Sequence, residues 1–100
     1  MDFFEYLDII RCDLELRRYA NQDGRWLAQI EHSEIKEGVF LKGIYGNGQT
    51  AIEALEDYIQ MIRGRVLVIN AYNREERKEY QVPDSIRLAY HKINRKESHG

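Results

Sequence analysis

Thr50-Ala51-Ile52-Glu53 opens the one segment of this chain whose structure is specified at both ends. The spacing predicts a capping box, in which the Thr50 hydroxyl accepts from the Glu53 amide and the Glu53 carboxylate reaches back to the Thr50 amide. Ile52, Leu55, Ile59 and Ile62 then fall on one stripe, with Glu53, Glu56, Asp57 and Gln60 outside it. Gly64 supplies the left-handed residue that ends such a helix. An aliphatic stripe of this length needs a cover, and the segments on either side alternate as strands do.

Ile10, Cys12, Leu14 and Leu16 alternate with Arg11, Asp13, Glu15 and Arg17, the pattern of a half-buried antiparallel strand. Asp23-Gly24 supplies the positive φ angles of a tight turn. Arg25 to Ile35 follows, with Trp26, Ala28 and Ile30 inward and Arg25, Gln29 and Glu31 outward. Lys36-Glu37-Gly38 turns the chain into a third strand, Val39 to Tyr45. Beyond the helix, Arg65 to Tyr72 is apolar on both faces and is expected in the interior of a sheet, and Arg77 to Val82 returns beside it. Pro83 stops that strand, and either Asp84 or Ser85 is placed to cap a last helix with Ile86, Ala89, Tyr90 and Ile93 on one side. At the other end Phe3, Leu7 and Ile10 share helical spacing, so residues 2–8 are expected as a short helix with Asp2 at its cap. The expected class is α+β, a mostly antiparallel sheet of about five strands in the order β-β-β-α-β-β-α with the long helix on one face.

One hundred residues at 43% apolar content suit a single domain over 1–100, with an N-terminal segment at 1–9 and a frayed tail at 95–100. The net charge of −2 gives no overall cationic field, so nucleic acid is not an expected partner. The charge is uneven: residues 1–60 hold 12 acids and 6 bases (net −6), residues 61–100 hold 9 bases and 5 acids (net +4). Cys12 is the sole cysteine, which excludes an intramolecular disulfide and a cysteine-based zinc site and fits a reducing compartment. No apolar run approaches the roughly 20 residues of a membrane span, and the acidic start differs from a signal peptide. A cytoplasmic protein with no membrane partner is expected.

Gly46-Asn47-Gly48 ahead of a helix start raises the prospect of a phosphate loop. The lysine that a Walker loop needs is absent, as are the three spaced glycines of a dinucleotide turn. The capping box occupies part of the helix-start donors and Glu53 opposes an anion, so the turn is read as structural. His32, His91 and His99 have no paired spacing for a metal, and no metal or cofactor is expected. His32-Ser33-Glu34 lacks a third orienting group and a legible oxyanion pocket, so it is read as strand-end residues, and no catalytic residue is assigned.

Asn70 shares a strand face with Val66, Val68 and Tyr72, and a buried carboxamide there either satisfies backbone groups or reads a ligand edge. Seven tyrosines, among them Tyr45, Tyr58, Tyr72 and Tyr80, mix with Arg63, Arg65, Arg74 and Arg77 around the helix and second hairpin. Such a set suits stacking on a base and clamping a phosphate. The site assignment is Tyr45 or Tyr72 for stacking, Asn70 for a base or ribose edge, and Arg63 and Arg77 for phosphate. Asn70→Ala or Arg77→Ala is expected to remove ligand binding without changing the unliganded melting point.

The run Gly46-x-Gly48-x-Thr50-x-x-Glu53-Ala54, with Asp57-Tyr58, Ile62-x-Gly64, Leu67-Val68, Arg77 and Val82-Pro83, resembles small phage-encoded proteins, among them the first type of Thoeris anti-defence protein. The likeness covers about sixty residues. It implies a noncatalytic sponge that sequesters cyclic ADP-ribose-type immune signals, uncleaved, in the cytoplasm of an infected bacterial host. The β-β-β-α order and the helix start are also similar to HicB antitoxins, which implies instead a module binding a partner protein or nucleic acid. The glycine-aromatic and proline-rich lead into the helix that is usual in that second pattern, and a clear helix-turn-helix or ribbon tail, are missing from this sequence. A homodimer or larger assembly is expected, since small sheets with an open edge often pair.

Overall fold

The computed structural model describes residues 1–89. The chain runs α1 (Phe3–Ile10), β1 (Leu14–Tyr19), a 3-10 turn (Ala20–Gln22), β2 (Arg25–Ile30), β3 (Ser33–Glu37), β4 (Phe40–Lys42), β5 (Gly46–Gly48), α2 (Ala51–Ile62), β6 (Val66–Ile69) and β7 (Lys78–Gln81). The class is α+β, with two antiparallel sheets in the orders β1-β2-β5 and β4-β3-β6-β7 and the longer helix packed against sheet. Neither helix is long and apolar enough to cross a membrane.

Among the described residues seven strands stand where about five were expected, because one expected strand breaks and passes from one sheet to the other, and the glycine stretch expected as a turn is itself a strand. Arg25 to Ile35 breaks at Glu31-His32, where His32 adopts φ 59°. Before the break β2 pairs with β1 and β5; after it β3 pairs with β4 and β6. The side chains record the switch: Ala28 and Ile30 are buried on one parity and Ser33 and Ile35 on the other. An unbroken strand has a side-chain period of two and cannot bury both sets on one face. Val39 to Tyr45 keeps strand form only at β4, paired with β3, and the glycine stretch after it forms β5, paired with β2.

Other boundaries move for local reasons. Ile10 closes α1, with Arg11 left-handed behind it at φ 55°, so the first strand begins at Leu14. Asp2 precedes α1 but does not cap it through its side chain; its Oδ1 accepts from the Ala89 amide at 2.9 Å. The strand after α2 stops at Ile69, since Asn70 turns left-handed at φ 52°. Residues 84–89 do not form the expected last helix. Phe3 donates to the Arg87 carbonyl at 2.7 Å and Arg87 donates to the Met1 carbonyl at 3.0 Å, so Arg87 forms an isolated parallel bridge with Asp2 at the N-terminal end. Tyr90, Ile93 and the tail at 95–100 lie outside the described residues.

One core joins these pieces. Leu55, Ile59 and Ile62 of α2 are buried as the stripe predicts, together with Ala54 and Tyr58. They meet Ala28 and Ile30 of β2, Ile35 of β3, Leu67 of β6, and Phe3, Tyr6 and Ile10 of α1. Burial of each large apolar side chain contributes about 1.5–3 kcal/mol. Tyr58, grouped with the ligand-facing tyrosines on sequence alone, is fully buried and belongs to this core.

Candidate functional site

Gly46 and Gly48 are not a phosphate loop and not a turn; they are alternate residues of β5, facing α2. A Cβ on Gly46 would collide with the Ala54 carbonyl oxygen and come 2.5 Å from the Tyr58 amide nitrogen. One on Gly48 would come 2.5 Å from the Ala54 amide nitrogen. The glycines are there so that helix and strand backbones touch. Between them the Asn47 amide donates to Asp57 Oδ2 at 2.8 Å, and the Glu53 amide donates to Thr50 Oγ1 at 3.1 Å, so this junction is held by helix side chains.

The break between β2 and β3 lies beside the end of β6, and a concavity of about 460 Å³ opens there. Its walls are Gln29, His32, Ser33, Glu34 and the turn Asn70-Ala71-Tyr72-Asn73. Two left-handed residues fix its floor: Asn70 donates its amide to the His32 carbonyl at 2.9 Å, with φ 52° and 59°. Non-glycine residues in this region are uncommon, and asparagine and histidine are among the types that tolerate it. Ser33 is 6% exposed, and its Oγ donates to the Ile30 carbonyl at 2.5 Å. With that proton committed, the Tyr58 hydroxyl donates to Ser33 Oγ at 3.3 Å and accepts from the Ile30 amide at 3.1 Å. Burial pushes the Tyr58 phenol pKa up, opposed by the Ser33 and Ile30 hydrogen bonds. The floor therefore stands on a buried, satisfied network.

The rim differs from the floor. Asn73 is committed to its own turn, its Oδ1 accepting from Glu75 and Glu76 and its Nδ2 donating to Glu76. Tyr72 is 85% exposed and reaches Glu34 Oε2 at 3.4 Å, which leaves its ring open as a shelf. Among the described residues, the side chains of Gln29, His32 and Asn70 have no hydrogen-bond partner, so donors and acceptors of two carboxamides and an imidazole remain for a guest. None of the lining residues is a lysine or arginine.

Of the five residues assigned from sequence, the structure brings together Asn70 and Tyr72. Tyr45 lies outside the lining, 47% exposed on the lead into β5. Arg63 ends α2, where its Nε donates to the Ile86 carbonyl at 2.8 Å beside a separate depression of about 190 Å³. Arg77 precedes β7, with Nη2 2.9 Å from Glu79 Oε2. The proposed phosphate pair is thus committed elsewhere. Gln29, His32, Ser33 and Glu34 were not assigned to a ligand, although the parity change between Ile30 and Ile35 marks where the strand bends and opens the concavity. Among the described residues no group of three His, Cys, Asp or Glu is placed to hold a metal ion. No protein-family model, curated protein or solved structure matches this chain.

Proposed function

We propose that this chain is a noncatalytic binding protein that holds a small nucleoside-containing guest in the concavity between the β2–β3 break and the turn after β6. The supporting observation is the set of unpartnered Gln29, His32 and Asn70 side chains around a volume of about 460 Å³. That volume lies within the usual range for small-molecule sites. Carboxamides match the donor and acceptor edge of a base, the Tyr72 ring offers a stacking face, and the Glu34 carboxylate suits ribose hydroxyls. Ser33 is a poor nucleophile here, because its proton is held by the Ile30 carbonyl. Combined with the family resemblance, the reading is a sponge for a cyclic ADP-ribose-type immune signal.

Differential scanning fluorimetry against cyclic ADP-ribose isomers and cyclic dinucleotides tests it. A ligand at 100 times its Kd adds about 2.7 kcal/mol of apparent stability. The guest should be recovered chemically intact after heating; a changed product would argue for an enzyme.

A second reading, an interaction module of the antitoxin kind, is favoured by Val39 and Phe40, which stand 91% and 74% exposed at the β3–β4 hairpin. It predicts no shift with any nucleotide. It also predicts loss of self-association or partner capture in Phe40→Ser, measured by sedimentation.

A further inference from the structure

A nucleotide guest carries phosphate, and the concavity has no lysine or arginine to meet it. One route from the concavity to a guanidinium runs through Gln29. Ala28 and Ile30 are fully buried beneath α2, so Arg25, Leu27 and Gln29 project from the opposite face of β2. Gln29 is therefore both a wall of the concavity and a member of the outer face of the β1-β2-β5 sheet. The register places Glu15 opposite Gln29, Arg17 opposite Leu27, and Tyr19 opposite Arg25. On the other side Asn47 is opposite Leu27 and Gly46 opposite Ala28, and Tyr45 is the residue that leads into β5. Diagonal neighbours across an antiparallel pair lie about 7–8 Å apart, which puts Arg17 one diagonal from Gln29.

Arg17 is laid along this face and still open. Its Nη1 donates to the Tyr19 hydroxyl at 3.3 Å, and its Nη2 stands 3.6 Å from Glu15 Oε2, beyond hydrogen-bond length. The side chain is 60% exposed. Arg25, exposed on the same face, is the second cation of the row. An arginine whose carboxylate partner is only loosely held is ready for the forked contact that phosphate offers.

We infer that the outer face of the β1-β2-β5 sheet is the phosphate arm of the same ligand site, with Arg17 as its principal contact and Tyr19 orienting the guanidinium. This rests on the concavity holding the nucleoside part. Glu15 is the opposing group, and a bound phosphate displaces it from Arg17.

The test compares a phosphate-bearing probe with a phosphate-free one. Cyclic ADP-ribose is titrated calorimetrically, and adenosine is followed by ligand-observed NMR, into the full chain and into Arg17→Gln, Glu15→Gln and Lys42→Gln, with a melting curve for each. Arg17→Gln is expected to weaken cyclic ADP-ribose at least tenfold and leave adenosine unchanged. Glu15→Gln should strengthen cyclic ADP-ribose several-fold, and Lys42→Gln, an equal charge loss at the edge of the other sheet, should do neither. Added salt should weaken the parent more than Arg17→Gln, and Arg17→Lys should restore part of that salt dependence. If Arg17→Gln binds cyclic ADP-ribose as Lys42→Gln does, the phosphate arm is overturned while the concavity stands. Equal losses for both probes also overturn it, since Arg17 would then act on the fold. Failure of the parent to bind either probe overturns arm and concavity together.

Discussion

The Asn70 amide donates to the His32 carbonyl at 2.9 Å, and both residues are left-handed. One sits at the break between β2 and β3, the other at the end of β6. Each strand end thus terminates the other, and the residues beyond them diverge to form the two lips of the concavity. Strain of this kind in non-glycine residues gathers at ligand sites and persists where the surroundings fix it.

That geometry changes how Asn70 should be tested. Alanine at φ 52° meets the left-handed penalty of about 1–2 kcal/mol, so Asn70→Ala is expected to lower the unliganded melting point rather than spare it. Asn70→Gly keeps the turn, removes the carboxamide, and should stay within about 0.5 kcal/mol of the parent. The pair separates the roles: loss of the nucleotide-induced shift in Asn70→Gly assigns the carboxamide to the ligand. Retention of the full shift would make Asn70 a turn residue only.

Gly46→Ala should cost at least ~3 kcal/mol, because the obstacle at Gly46 is the backbone of α2 at Ala54 and Tyr58, which cannot swing aside. Gly43→Ala has no atom within 4 Å of the new Cβ and should change stability little. Urea unfolding of the two variants checks the contrast, and comparable midpoints would refute the close packing of α2 on β5.

Tyr58→Phe removes the acceptor for the buried Ile30 amide and the donor to Ser33 Oγ. An unsatisfied buried donor costs about 1–3 kcal/mol, and a shift of roughly 4–8 °C per kcal/mol is expected for a domain of this size. Ser33→Ala on that background should cost less than it does alone, because the two hydroxyls share one network. Additive losses in the double-mutant cycle would rule the network out.

These elements divide according to how local their causes are. The capped α2 and its buried stripe follow from residues within four positions of one another: Thr50 Oγ1 accepts from the Glu53 amide, without the return bond from the Glu53 carboxylate that the spacing predicts, and Leu55, Ile59 and Gly64 act as their spacing demands. The concavity depends instead on a partner far along the chain: His32 bends where Asn70, 38 positions on, can meet it. Gly46-Asn47-Gly48 reads as a turn from its own composition, and only the arrival of α2 over it explains two glycines in a strand. Arg63 and Arg77 have the chemistry for phosphate, yet their partners, Ile86 and Glu79, are set by tertiary placement and by the local ion pair.

Alkaline unfolding tests the burial of α1 on the core. Tyr6 is 4% exposed, its hydroxyl donates to the Gln81 carbonyl at 3.3 Å, and its pKa is pushed up to about 12. Burial is the main cause, with added repulsion from the ionised forms of Cys12, Tyr80 and Tyr58. A phenol whose folded pKa lies above its unfolded value of about 10 stabilises the fold fully below pH 10, and that contribution disappears as the pH rises through 12. The parent should therefore lose melting temperature between pH 10 and 12 more steeply than Tyr6→Phe, by on the order of 5 °C. The comparison cancels other groups that titrate in both proteins, including Tyr58, whose pKa is also raised by burial. Parallel melting curves for parent and variant across that interval would place Tyr6 in water and detach α1 from the core described above.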